Sequence, residues 1–137
     1  MLFRSWEAES GRLLRSLEGH TDWVRAVAVS PDGRTIVSGS LDRTVKVWDA
    51  ASGRLLRSLE DHTFGVDAVA LSADGRTIVS GANDNTVRVW DAASGRLLRS
   101  LEGHTDRVRA VALSADGRTI VSGADDRTVK EIGRAHV

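Results

Sequence analysis

The apolar positions of this chain come in short runs of about six residues, separated by glycine, aspartate and serine, and nowhere follow a helical period. From Gly11 onward, GRLLRSLE alternates weakly between apolar and charged residues and is bounded by glycine. That pattern predicts an edge strand with one side in water. VRAVAVS (24–30) is rich in β-branched and small residues and predicts a strand buried on both faces. RTIVSGS (34–40) and TVKVWD (44–49) complete a set of four strands. Pro31-Asp32-Gly33 supplies a hairpin turn, since Asp-Gly accepts the positive φ angles that tight turns need.

The whole set then repeats. GRLLRSLE recurs at Gly11, Gly53 and Gly95, a period of 42 residues, and the Asp-Gly turn recurs at Asp74-Gly75 and Asp116-Gly117. Such a period marks one supersecondary unit copied in series. The units occupy residues 11–52, 53–94 and 95–130, with residues 1–10 reading as the degenerate end of a preceding unit. About three-quarters of the positions are shared between the first two units, so the differences stand out. Trp23, Arg25 and Leu41 become Gly65, Asp67 and Asn83, then Arg107, Arg109 and Asp125. These positions fall at the entry to one strand and in the turn before another. In a meander both lie at the same end of the sheet, forming a variable rim.

Composition narrows the function classes. Lysine plus arginine and aspartate plus glutamate number 19 each, so no net field favours nucleic acid or an anionic membrane. Cysteine is absent, which excludes disulfides and thiolate metal sites. No apolar run approaches the roughly 18 residues of a membrane span, and the start MLFRSWEAES has no apolar signal-peptide core. A cytoplasmic protein is the expectation.

The unit resembles the WD repeat. Gly19-His20, the serine of IVSGS, the aspartate of LDRTVKVWD and the closing Trp48-Asp49 and Trp90-Asp91 are the marks of that family. The resemblance implies an all-β β-propeller whose blades are four-stranded antiparallel meanders, each sequence unit supplying the outer strand of one blade and three strands of the next. It also implies a buried structural tetrad: His20, Ser38, Asp42 and Trp48; then His62, Ser80, Asp84 and Trp90; then His104, Ser122 and Asp126, with Ile132 where tryptophan belongs. Asp61 replaces the glycine before the second histidine. High-identity repeats of this kind also resemble the sensor arrays of signalling ATPases, including heterokaryon-incompatibility proteins.

The third unit departs abruptly from the pattern after Lys130, where EIGRAHV stands in place of VWDAASG. Drift would scatter its changes, so residues 131–137 read as a non-family tail, matching the translation of a sequencing adapter. The expected architecture is a partial, open arc of two full blades (24–59 and 66–101) and two incomplete ones. Remaining blades of a longer chain, or head-to-tail self-association, would close it.

Each unit carries the residue types of a nucleophilic triad, His20, Asp42 and Ser38 in the first. A trio recurring in every unit points to structure, because an active site needs one special copy. The histidines, one per unit, are not spaced as a chelating cluster, and Asn83-Asp84-Asn85 lacks the glycine and glutamate of a calcium loop. No catalytic residue, cofactor or metal is expected. The reading is a non-catalytic scaffold that recognises a protein or peptide through Trp23, Arg25, Leu41, Gly65, Asp67, Asn83, Arg107, Arg109 and Asp125. Aromatics and arginines are favoured at interface hot spots, and the mixed charges suit a polar peptide. The alternatives are a regulatory array within a larger signalling ATPase and, less favoured, an enzyme on a propeller scaffold.

Overall fold

The structure, a computed structural model, describes residues 2–132. Among them every regular element is a strand. Strands β3 (Val24–Val29), β4 (Thr35–Ser40), β5 (Val45–Asp49) and β6 (Leu55–Leu59) form one antiparallel sheet in sequence order, blade 1. Blade 2 repeats it with β7 (Val66–Leu71), β8 (Thr77–Ala82), β9 (Thr86–Asp91) and β10 (Leu97–Glu102). Before them β1 (Leu2–Trp6) pairs with β2 (Leu13–Glu18). After them β11 (Val108–Leu113), β12 (Ile120–Ala124) and β13 (Val129–Ile132) make a three-stranded blade 3. The GRLLRSLE segments are the edge strands β2, β6 and β10, so blades 1 and 2 each join two sequence units, and among the described residues the blades form an open series with no closed barrel.

The hairpins are set by their own side chains. Ser30 Oγ donates to Asp32 Oδ1 at 2.6 Å, the Arg34 N–H donates to the same oxygen at 3.0 Å, and Gly33 adopts φ +72°. The same lock recurs at Ser72–Asp74 and Ser114–Asp116. These hydroxyl donors hold Asp32, Asp74 and Asp116 below the usual carboxylate pKa.

Blades pack face to face through valine against glycine. A Cβ on Gly39 would lie 2.7 Å from Val66 and 2.9 Å from Val69; one on Gly81 would lie 2.6 Å from Val108. No side chain other than hydrogen fits there. Around the first contact Val37, Val45, Val47 and Leu59 of blade 1 meet Val66, Val69, Ile78 and Trp90 of blade 2. The second contact repeats it with Val79, Val87 and Val89 against Val108 and Ile120. Each fully buried valine contributes about 1.5–3 kcal/mol, which makes the inter-blade faces the main source of cohesion.

One expectation needs correction. VRAVAVS was read as buried on both faces, and β7 comes near to this, but β3 alternates between half-buried and exposed and β11 is largely exposed after Val108. The residues are nearly the same. Only β7 lies between the first strands of two neighbouring blades, β3 and β11, so burial here is conferred by neighbours and not by composition. The adapter reading of the tail falls mainly on residues 133–137, outside the described residues; Glu131 and Ile132 pair with Val121 and Ile120 as the last ladder rungs of β13.

Candidate functional site

Two groups of side chains stand apart: a buried relay in each blade and the variable rim. In blade 1 the His20 Nδ1 lies 2.7 Å from Asp42 Oδ2, its Nε2 lies 2.6 Å from Ser38 Oγ, and the Trp48 indole N–H donates to Ser38 Oγ at 2.8 Å. The ladder brings them together, because Trp48 pairs with Ile36 and Ser38 pairs with Lys46 across β4 and β5. Asp42 is held in turn by the Thr21 N–H and the Thr44 hydroxyl. Blade 2 reproduces the set, with His62–Asp84 at 2.9 Å, His62–Ser80 at 2.6 Å and Trp90–Ser80 at 2.9 Å. In blade 3 His104 keeps Asp126 at 2.9 Å and Ser122 at 2.7 Å, while Ile132 occupies the ladder position opposite Ile120 that tryptophan takes in blades 1 and 2.

Hydrogen-bond direction fixes the protonation. A carboxylate can only accept, so Nδ1 carries the proton; the serine then donates to Nε2 and accepts from the indole. A second proton on the imidazole would set it against the serine's own donor. Burial, the largest influence, pushes the His20 pKa below 6.5 despite the Asp42 carboxylate. For Asp42 burial works to raise the pKa, but the Thr44, His20 and Thr21 donors together outweigh it and leave it low. Asp84 is lowered further by the same balance, and Asp126 is lowered chiefly by Thr128.

Aspartate, histidine and serine in this order have the connectivity of a nucleophilic triad. The difference is access. Ser38 and Ser80 are fully buried, each held between a histidine ring and an indole N–H. No substrate carbonyl can approach such an oxygen, so the arrangement clamps the turn before β3 and β7 to the body of the sheet.

Asp61 replaces glycine in the second unit without loosening its turn. Arg88 Nη1 donates to the Asp61 carboxylate at 2.8 Å and also to its backbone carbonyl. In blade 1 a Cβ at Gly19 would sit 2.9 Å from the Trp48 ring, so that copy requires glycine.

The variable positions do share one end of the sheets. The Leu41, Asn83 and Asp125 N–H groups donate to the Trp23, Gly65 and Arg107 carbonyls at 2.9, 2.9 and 3.0 Å. Arg25, Asp67 and Arg109 are the extra residues of β-bulges, where the register shifts between Val24 and Ala26 and at the two repeats of that site. A bulge turns its unpaired residue off the ladder. Asp67, its side chain only 3% exposed, receives Arg107 Nε and Nη2 at 3.1 and 2.8 Å and Arg25 Nε at 3.5 Å. It therefore ties blades 1, 2 and 3 together. Arg109 pairs with Asp125 at 3.1 Å. Leu41 packs on Gly65, where a Cβ would approach it within 2.8 Å.

Trp23 stands free at 57% exposure. Phe64 is 54% exposed one residue before Gly65, and the sequence reading passed over it. Its signal was available: it replaces Asp22 and Asp106 at the same unit position, an apolar side chain where its copies are charged.

Among the described residues no helix is long and apolar enough to cross a membrane, and no three histidine, aspartate or glutamate side chains form a group able to hold a metal ion.

Comparison with known proteins places the repeats. The chain is similar to the nuclear distribution protein PAC1 of Arthroderma benhamiae, 50% identical over 42 residues, covering 31% of this chain and 9% of that protein. It is similar to the PAC1 of Coccidioides posadasii, 43% identical over 44 residues, 32% of this chain and 9% of that protein. The pleiotropic regulator 1 of Bos taurus is 47% identical over 36 residues, 26% of this chain and 7% of that protein. The chain thus spans less than a tenth of the length of these relatives. The family model described as "WD domain, G-beta repeat" matches residues 11–49, 53–91 and 95–131, and with the relay and register above, the chain belongs to the WD40 repeat family.

Proposed function

We propose that this chain is a non-catalytic recognition platform that binds a polar peptide segment of a protein partner on the rim formed by the entries to β3, β7 and β11. WD40 repeats serve in general as scaffolds for protein interaction, which supports the class. The observation that carries the finer reading is the division of labour within each unit. The residues shared between copies supply the blade packing and the relay, whereas most of the residues that differ gather at one end. There, exposed Trp23 and Phe64 flank a cluster with Arg25, Arg107 and Arg109 set against Asp67 and Asp125. With Asp22 and Asp106 beside them the rim charges are mixed, which suits a polar peptide. Exposed aromatics beside arginines are the side chains most often responsible for binding energy.

A displayed library of random peptides, panned on the whole chain, tests this. Selected peptides are expected to be enriched in polar residues, and Trp23→Ala is expected to weaken them at least tenfold with an unchanged melting temperature. Asp42→Ala should lower the melting temperature without altering which peptides are selected. If Trp23→Ala proved the stronger unfolder of the two, the rim would be a packing surface and the proposal would fall.

A further inference from the structure

The boundary between blades 1 and 2 is sealed where Gly39 meets Val66 and Val69, and opens beside the outer strand β6 into a groove of about 330 Å³. Blade 1 contributes Val47, Leu56 and Arg57 to it, and the turns of blade 2 contribute Arg76, Ala92 and Ala93. Both blades are complete, so the groove depends on no blade beyond them. It lies at the end of the sheets opposite the rim, among the turns that follow β7 and β9.

Two observations say what it fits. The first is apolar. Val47 pairs with Arg57 and Trp48 with Leu55, which leaves Leu56 as the extra residue of a β-bulge. A bulge re-aims its extra side chain, and Leu56 lines the groove while remaining 44% exposed. The second is charge. Arg57 and Arg76 are the only charged side chains lining the groove. In the neighbouring turns Asp32, Asp49, Asp74 and Asp91 are offset by Arg34, Arg54, Arg76 and Arg96, so Arg57 is a cation in excess. The two nearest acids face their own turns: Asp74 accepts from the Ser72 hydroxyl and the Arg76 N–H, and Asp91 from the Ser94 hydroxyl and N–H. Arg57 reaches across the boundary, its Nη1 3.5 Å from the Ser94 carbonyl. The Arg76 guanidinium makes no hydrogen bond among the described residues.

We propose that this groove is a second binding site, which seats a short acidic segment of a partner protein. An aliphatic side chain of the segment lies against Leu56 and Ala93, and a neighbouring carboxylate is received by Arg57 and Arg76. The site shares no residue with the rim, so it stands or falls independently of recognition there.

Titration of the whole chain with three short peptides, followed by NMR of the backbone amides, tests this. The probes are Ser-Asp-Leu-Asp-Ser, its lysine counterpart Ser-Lys-Leu-Lys-Ser, and Ser-Asp-Ser-Asp-Ser without the leucine. The first is expected to shift the signals of Gly75, Arg76, Ala92 and Ala93, to leave Trp23 and Phe64 unmoved, and to bind about tenfold more tightly than either of the others. Arg76 and Ala93 are exposed, so changing them leaves the core alone. Arg76→Glu should abolish the preference for aspartate over lysine, and Ala93→Phe should abolish binding of the leucine peptide, both with an unchanged melting temperature. Equal binding of the three peptides, shifts confined to the rim, or an Arg76→Glu chain that keeps the aspartate preference would each overturn the proposal. Groove signals that move with protein concentration alone would place a second copy of the chain there instead, and would overturn it too.

Discussion

The Arg107 guanidinium places two nitrogens on one oxygen of Asp67, at 3.1 and 2.8 Å, across the boundary between blades 2 and 3. The pair unites two of the positions that distinguish one unit from another, so variation at the rim is not free of structure. Asp67 is nearly sealed and Arg107 about three-quarters covered, which lifts the pair above an ordinary surface ion pair. A double-mutant cycle with Asp67→Ala and Arg107→Ala is expected to return a coupling of about 1–2 kcal/mol in denaturant unfolding. The same cycle on Arg109 and Asp125, each roughly two-fifths exposed or more, should return about 0–0.5 kcal/mol. Equal couplings would mean that Asp67 is not the shared anchor.

Acid should unfold the protein in two stages. His20 has a folded pKa below 6.5, so its neutral form contributes stability that is complete above pH 6.5 and is lost as pH falls through the lowered value. Asp42 and Asp84 are depressed below 3.8, so their contribution is complete above that pH and is lost as pH falls further. Unfolding free energy measured from pH 8 to pH 3 should therefore be flat above about pH 6.5 and decline below it. His20→Gln should weaken the fold at pH 8 and flatten the first decline. A stability that rose between pH 6.5 and 5 would show the histidine to be stabilised as a cation.

Arg43 and Arg127 adopt φ +77° and +66° in the turns from β4 to β5 and from β12 to β13, a region that disfavours a long side chain. The middle unit has Asn85 at this position, with φ +69°, and asparagine tolerates the conformation. Arg43→Gly is expected to stabilise the chain by about 0.4–1 kcal/mol through relief of backbone strain, and Arg43→Asn by somewhat less. Asn85→Arg should cost a similar amount. Thermal melts of the three variants check the order.

Much of this was legible in the residues because the chain states its pattern three times. Register, turn positions and relay partners follow from positions 42 residues apart, and Trp48 over Ile36 lies where the repeat puts it. Burial was not legible in the same way. Val27, Val69 and Val111 share one position in the repeat and differ in exposure, because burial depends on which neighbouring blade is present. The bulges at Arg25, Asp67 and Arg109 were also hidden: a bulge adds a residue without leaving a turn residue to mark it. Hence the sequence identified Asp67 as variable but gave no sign that two arginines converge on it.

The buried clasp uses two of the four tryptophans and leaves two outside. Trp48 and Trp90 donate their indole N–H groups to buried serines, whereas Trp6 and Trp23 are more than half exposed. Hydrogen exchange of the four indole N–H signals, followed by NMR, tests this most directly. Two signals should exchange within seconds and be lost in Trp6→Phe and Trp23→Phe, while two persist and are lost in Trp48→Phe and Trp90→Phe. Four indoles exchanging at one fast rate would contradict the clasp and the fold built on it.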